Sequence, residues 1–136
     1  MLYADGMGFA ASPSIVGLAG ELAKEPSEDT RWRLLLGFLD EYHQADKGEH
    51  TASLGDEPAL TGDARWDVML AAVAEHLAYQ DDMPAPLWVR KPGREWAGSV
   101  WWVVPLPSAR PWALAHSPAS FRRRGIFLHP DDLAVA

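Results

Sequence analysis

Residues 63–77, DARWDVMLAAVAEHL, decide the fold because they carry the clearest periodicity in the chain. Asp63 is a residue type that caps the start of a helix. The apolar side chains that follow recur at the i, i+3, i+4, i+7 and i+11 spacing of one helix face, namely Trp66, Met69, Leu70, Val73 and Leu77. This stretch therefore predicts an amphipathic helix, with an outer face made of Asp67, Ala71, Ala74 and Glu75.

Two further helices are predicted on the N-terminal side of this stretch. Ser27 opens a helix that runs to about Gln44, and the acidic residues Glu28 and Asp29 favour its first turn. Its wide apolar stripe indicates central packing and comprises Trp32, Leu34, Leu35, Leu36, Phe38 and Leu39. Ser12-Pro13 predicts the start of a shorter helix with Ile15, Leu18, Ala19 and Leu22 on one face. Residues 1–11 are predicted to be flexible.

The remainder of the chain predicts less regular structure. Residues 45–62 are polar and rich in Gly, Asp and Glu, which predicts a long acidic loop. Residues 83–93 contain three prolines and read as extended, and residues 96–104 read as a strand or an extended core segment. Ser117-Pro118 predicts the start of a short helix over residues 119–124, with Gly125 as its stop, then an extended segment at 126–128 and one helical turn over residues 130–136. We expect one domain over residues 1–136, mainly α, with a Pro/Trp-rich C-terminal half of short helices and at most a small β element.

Composition excludes several classes of function. The 136 residues include no Cys, so disulfide frameworks and thiolate sites are ruled out. No apolar run approaches the length of a membrane span, and no signal peptide is visible, so we expect a soluble, cytoplasmic protein without membrane contact. Residues 1–80 hold 5 basic and 14 acidic residues and residues 81–136 hold 7 basic and 5 acidic, which together give the net charge of −7. The acidic half makes direct nucleic-acid binding an unfavoured function.

A few residues are candidates for a site. The run Arg122-Arg123-Arg124 fits a phosphate or acidic-partner contact, or one internal ion pair with two solvated neighbours. Trp101 and Trp102 face opposite ways if extended, so one fills the core while the other forms a ligand wall or an interface anchor. The five histidines lack metal-ligand spacing, and we expect no metal or cofactor. Ser117 is assigned to helix capping rather than to nucleophilic chemistry.

Several segments together resemble a known module. They are GDARWD at 62–67, AAVAEHL at 71–77, PLW at 86–88, HSPA at 116–119 and FRRRGIF at 121–127. Residues 25–131 resemble the C-terminal module of actinobacterial helix-turn-helix regulators and antitoxin-like proteins, which often lie beside a nucleotidyltransferase-like toxin gene. The resemblance implies a protein partner such as a cognate toxin. Residues 1–24 are too short for a helix-turn-helix, so the resemblance does not imply DNA binding.

These observations favour a non-enzymatic protein-interaction module, antitoxin-like or an accessory domain of a transcriptional regulator. The expected partner-binding residues are Trp101, Trp102, Arg122, Arg123 and Arg124. The alternative is a small-molecule sensor or small enzyme with a Trp-lined pocket formed by His76, Glu75, Trp88 and His116. A third hypothesis is nucleic-acid binding through the arginine run. The sequence leaves homo-oligomerisation open.

Overall fold

A computed structural model describes residues 13–133 of the protein. This part of the chain is mainly helical and contains one small parallel sheet of two strands. This confirms the predicted fold class. The helices are α1 (Ile15–Lys24), α2 (Glu28–Gln44), α3 (His50–Gly55), α4 (Ala64–Gln80), α5 (Arg110–His116) and α6 (Ala119–Arg122). The strands are β1 (Trp101–Trp102) and β2 (Ile126–Phe127). Single 3₁₀ turns occupy Lys47–Glu49, Leu87–Arg90, Pro107–Ala109 and Pro130–Leu133.

Helix α4 is the centre of the molecule. Its predicted start and stripe are confirmed, since the Asp63 side chain accepts a hydrogen bond from the Arg65 amide and all five stripe residues are buried. The predicted outer face is wrong, because Asp67, Ala71 and Ala74 are buried as well. Helices α1, α3 and α6 and the Leu87–Arg90 turn all contact α4, so no broad face is left for solvent. A helix covered on all sides is the core of its domain.

Helices α1 and α2 pack on one another beside α4. Ser27 caps α2 as predicted, because its side chain accepts from the Thr30 amide. Helix α1 is capped by Ser14, whose side chain accepts from the amides of Val16 and Gly17, so the predicted start at Ser12-Pro13 is wrong by two residues. The flexibility predicted for residues 1–11 falls outside the described residues, as do Ser12 and residues 134–136.

The predicted loop at 45–62 is wrong in its middle, where a 3₁₀ turn leads into α3. Its apolar residues are too sparse to show helical periodicity. Instead, α3 buries Leu54 together with two polar residues, His50 and Ser53. The side chains of His50 and Ser53 each make a hydrogen bond. Buried polar groups are stable under that condition.

The C-terminal half wraps around α4 as connected short pieces. The strands pair in parallel with Trp101 opposite Ile126 and Trp102 opposite Phe127, so the predicted strand is reduced to two residues. Ser117 does not cap α6, which corrects its predicted role. Its hydroxyl lies 2.6 Å from the Ala113 carbonyl and accepts from the Leu128 amide at 2.9 Å. Ser117 therefore ties the end of α5 to the segment that follows β2.

Two buried arginines bind backbone carbonyls: Arg94 joins this half to the helices, and Arg124 joins segments within this half. Arg94 donates to the carbonyls of Asp67, at 3.1 Å, and Pro58, at 2.6 Å. Arg124 donates to the carbonyls of Arg94, Ser120 and Val89 at 2.9–3.0 Å. A guanidinium carries five N–H donors in a fixed plane, so one buried arginine can join several segments of chain.

Candidate functional site

The three arginines of the 122–124 run have three different environments. Arg124 is fully buried and bridges Glu75 at 2.8 Å and Glu95 at 3.0 Å. Arg123 bridges the same two carboxylates at 2.6 Å each from a half-exposed position. Arg122 is exposed and donates to the Ser117 carbonyl. Of the run, Arg122 is therefore the residue without an ion pair in the described part of the chain, while Arg124 is structural.

Glu75 is the common acceptor of this cluster and does not act in a pocket. Arg90 approaches it from the exposed side at 3.4 Å. Burial raises the pKa of Glu75, but hydrogen bonds from Arg124 and Arg123 outweigh burial and hold that pKa below its ordinary value. Glu75 is thus an ion-paired carboxylate at pH 7, which is unsuited to act as a general acid.

Trp101 and Trp102 face opposite sides, as their alternation predicts. The Trp101 ring packs edge-on against Trp66 at 5.4 Å, and the Arg65 guanidinium covers it at 4.7 Å. The Trp102 ring instead stacks on Phe127, with centroids 4.7 Å apart, and Arg110 lies over it at 5.2 Å. Trp101 therefore belongs to the packing around α4, and Trp102 belongs to the opposite side of the sheet.

That opposite side continues into a surface that we call the aromatic face. Trp112, which is 51% exposed, contacts the tilted His116 ring at 3.7 Å and stacks on His129 at 5.4 Å. Phe127 and His129 share one side of the extended chain because Leu128 between them is fully buried on the other. The aromatic face consists of Trp102, Arg110, Trp112, His116, Phe127 and His129. Four residues of this face were not predicted from the sequence, namely Arg110, Trp112, Phe127 and His129, although the alternation over residues 126–129 carries a signal for the last two.

The four residues of the predicted Trp-lined pocket are not brought together. Trp88 is buried, and its indole N–H donates to the Leu54 carbonyl at 2.9 Å. Glu75 lies in the arginine cluster, and His116 lies in the aromatic face. These residues therefore have different environments in the structure, and ligand binding by the predicted pocket stays a prediction.

His76 lines a cleft of about 260 Å³ between α2, α4, α6 and the Pro130–Leu133 turn, which we call the His76 cleft. Its ring packs edge-on against Phe121 at 5.4 Å. Burial lowers the pKa of His76, and the neighbouring His43 lowers it further, so the ring is neutral at pH 7. The walls are mostly apolar and are formed by Leu39, Val73, Leu77, Pro118, Phe121, Pro130 and Leu133, with His43, His76 and Gln80 as polar members.

A buried histidine–carboxylate pair joins α3 to the end of α4. The His50 Nδ1 atom lies 2.7 Å from Asp81, and its Nε2 atom lies 2.8 Å from the Tyr42 carbonyl. The Tyr42 hydroxyl donates to the same carboxylate at 2.6 Å, and the Tyr42 and His50 rings stack at 3.8 Å. Burial raises the pKa of Asp81, but the hydrogen bonds from Tyr42 and His50 outweigh it and hold that pKa below its ordinary value. Both ring nitrogens are engaged, so the pair offers no base to a substrate.

Within residues 13–133, no group of three or more His, Asp or Glu side chains is arranged to hold a metal ion. None of the described helices is both long enough and apolar enough to cross a membrane. Comparison with protein-family models, with curated proteins and with solved structures finds no match to this chain.

Proposed function

We propose that this protein is a non-enzymatic interaction module that binds a protein partner through the aromatic face. The observation that carries the proposal is the pair of tryptophan rings, Trp102 and Trp112, held at the surface by ring contacts with Phe127, His116 and His129. Tryptophan and arginine are the residues most enriched among those that dominate binding energy at interfaces. The engaged nitrogens of the buried His50–Asp81 pair also favour a non-enzymatic role.

The arrangement of these rings reduces the conformational entropy that the side chains lose when a partner binds. A side chain that is already fixed by stacking loses little rotamer freedom when a partner covers it. Leu106, at 62% exposed, and Leu114, at 52%, are further exposed apolar side chains on the same short pieces of chain. Such a surface suits the centre of an interface, where apolar contacts are enriched.

The charge of the aromatic face selects the kind of partner. Arg110 lies over Trp102, and Arg122 is exposed at the end of α6. Both side chains favour an acidic partner surface, unlike the acidic N-terminal half of the chain. The resemblance of residues 25–131 to antitoxin-like and regulator proteins supplies a class for that partner, a cognate toxin, and places this chain as the neutralising or regulatory component.

The test compares two matched variants of the tagged full-length chain. Trp102→Ala together with Trp112→Ala removes the centre of the aromatic face, and Tyr79→Ala removes an aromatic side chain that is 82% exposed at the end of α4, outside that face. Circular dichroism and thermal melts first establish that both variants fold. The partner is identified by its stoichiometric co-purification with the wild-type chain, and its affinity is then measured by calorimetry.

We expect the double variant to bind the partner at least about 30-fold more weakly, since one central tryptophan contributes about 2 kcal/mol or more. Tyr79→Ala should bind as the wild-type chain does. Equal affinity of the double variant and the control would remove the aromatic face from the proposal. Failure of the wild-type chain to bind its genomic neighbour or any stoichiometric protein would remove the interaction function itself.

A further inference from the structure

The His76 cleft shares no residue with the aromatic face. Seven of its ten lining residues are apolar, and none of the ten carries a carboxylate, a guanidinium or an ammonium group. The cleft is half open, so a small molecule can enter from solvent. Concave sites with mostly apolar walls and a few polar groups are typical of ligand pockets.

His76 is the least exposed of the three polar residues that line this cleft, because His43 and Gln80 are both exposed. Among the described residues its ring makes no hydrogen bond, whereas every fully buried side-chain nitrogen or oxygen there has one. The nitrogens of the half-buried ring are therefore open to the cleft. By contrast, both nitrogens of His50 are engaged.

The protonation state of His76 defines what it can bind. Its neutral ring presents one acceptor nitrogen and one N–H donor. A charged ligand would leave water for a site without a countercharge, which is unfavourable for either sign. A neutral hydroxyl group matches the ring, because it donates to the acceptor nitrogen and can also accept a hydrogen bond.

The size of the cleft limits the ligand. A cavity of about 150 Å³ holds benzene, so the 260 Å³ here accommodate a molecule of about ten non-hydrogen atoms. Phe121 and the two prolines, Pro118 and Pro130, present flat apolar surfaces to it. We propose that the His76 cleft binds a small neutral aromatic molecule that carries a hydroxyl group, with the hydroxyl on the His76 ring and the aromatic ring among the apolar walls.

The first experiment uses the full chain and four probes of nearly equal size. Nuclear magnetic resonance follows the histidine ring signals during titration with p-cresol, toluene, benzoate and benzylammonium. We expect p-cresol to shift the His76 signals saturably, and each of the other three to bind about tenfold more weakly, because each lacks the hydroxyl or carries a charge. Signals of His116 and His129 should not move.

Variants then separate the hydrogen bond from the shape of the cleft. His76→Phe keeps a ring but removes both nitrogens, so it should bind p-cresol no better than toluene. His116→Phe, at an exposed histidine of the aromatic face, should keep the preference for p-cresol. His76→Gln retains an acceptor and should preserve part of that preference if His76→Phe fails to fold.

Three outcomes would overturn the proposal. The first is p-cresol leaving the His76 signals unshifted up to its solubility limit. The second is benzoate or benzylammonium binding as tightly as p-cresol. The third is His76→Phe preserving the preference for p-cresol over toluene. None of these outcomes bears on the aromatic face, so this proposal and the proposed interaction function fail independently.

Discussion

Replacing Arg124 with methionine removes the most fully engaged side chain in the C-terminal half while keeping a chain of similar length. The Arg124 side chain is 0% exposed and donates to five acceptors. Two of the acceptors are the carboxylates of Glu75 and Glu95, and three are backbone carbonyls. Methionine fills much of the space but satisfies none of these acceptors, so the variant isolates the polar contribution.

The loss of stability in Arg124→Met depends on which ion pairs of its partners remain. Removing one partner of a buried ion pair costs about 3–5 kcal/mol, and the lower end applies here because Glu75 keeps Arg123 and Arg90. We therefore expect the free energy of unfolding to fall by about 3 kcal/mol. For a chain of this length that loss lowers the melting temperature by about 10 °C.

Urea denaturation and thermal melts followed by circular dichroism measure the loss, with Arg122→Met as the matched control. Arg122 is exposed and makes one hydrogen bond to a carbonyl, so its replacement should change stability by less than about 1 kcal/mol. Arg124→Lys keeps the charge but not the planar set of donors, and it should lose most of the same energy. Losses of equal size in the Arg124 and Arg122 variants would refute the structural role assigned to Arg124.

Three further predictions concern single positions. Gly125→Ala, at φ +77° and against the Trp96 ring, should lower the free energy of unfolding by about 2 kcal/mol in urea, whereas Gly93→Ala, at φ +86° in open space, should cost about 1 kcal/mol. Because the folded-state pKa of Asp81 lies below its ordinary value of 3.8, its stabilisation is present above that pH and is lost as the pH falls through the lowered pKa. Asp81→Asn should therefore reduce stability at neutral pH and flatten the acid limb of melting temperature against pH. Trp88→Phe removes the indole hydrogen bond and leaves a void, so it should cost about 2 kcal/mol in the same melts, while unchanged stability would contradict the burial of that ring.

The helices could be predicted where the signal is local. The caps Ser27 and Asp63 and the stripe of α4 are each contained within one or two turns of sequence, and the structure confirms them. The pairing of buried polar side chains, in contrast, depends on residues that are distant in the chain. Asp67 looks like an outward residue by periodicity, yet it is buried because Thr61 donates to its carboxylate from both amide and hydroxyl.

The candidate site could likewise be predicted only in part from local sequence. Three consecutive arginines are chemically identical in the sequence, and only the phase of the turn after α6 decides that Arg124 points inward and Arg122 outward. The aromatic face was found in part, through Trp102. Its other tryptophan, Trp112, reaches the surface beside His129 because β1 pairs with β2 across more than twenty residues. No local pattern contains that pairing.

The carbonyl contacts of Arg94 and Arg124 have a consequence for which sequences can adopt this fold. A carbonyl oxygen is present at every position of a polypeptide, so the side chains at residues 58, 67, 89 and 120 need not change together with the arginines that bind their backbones. The fold instead requires the two guanidinium groups and the observed path of the main chain. A deep substitution scan should therefore find Arg94 and Arg124 intolerant of replacement. Val89, whose carbonyl Arg124 contacts, should accept other apolar residues of similar volume.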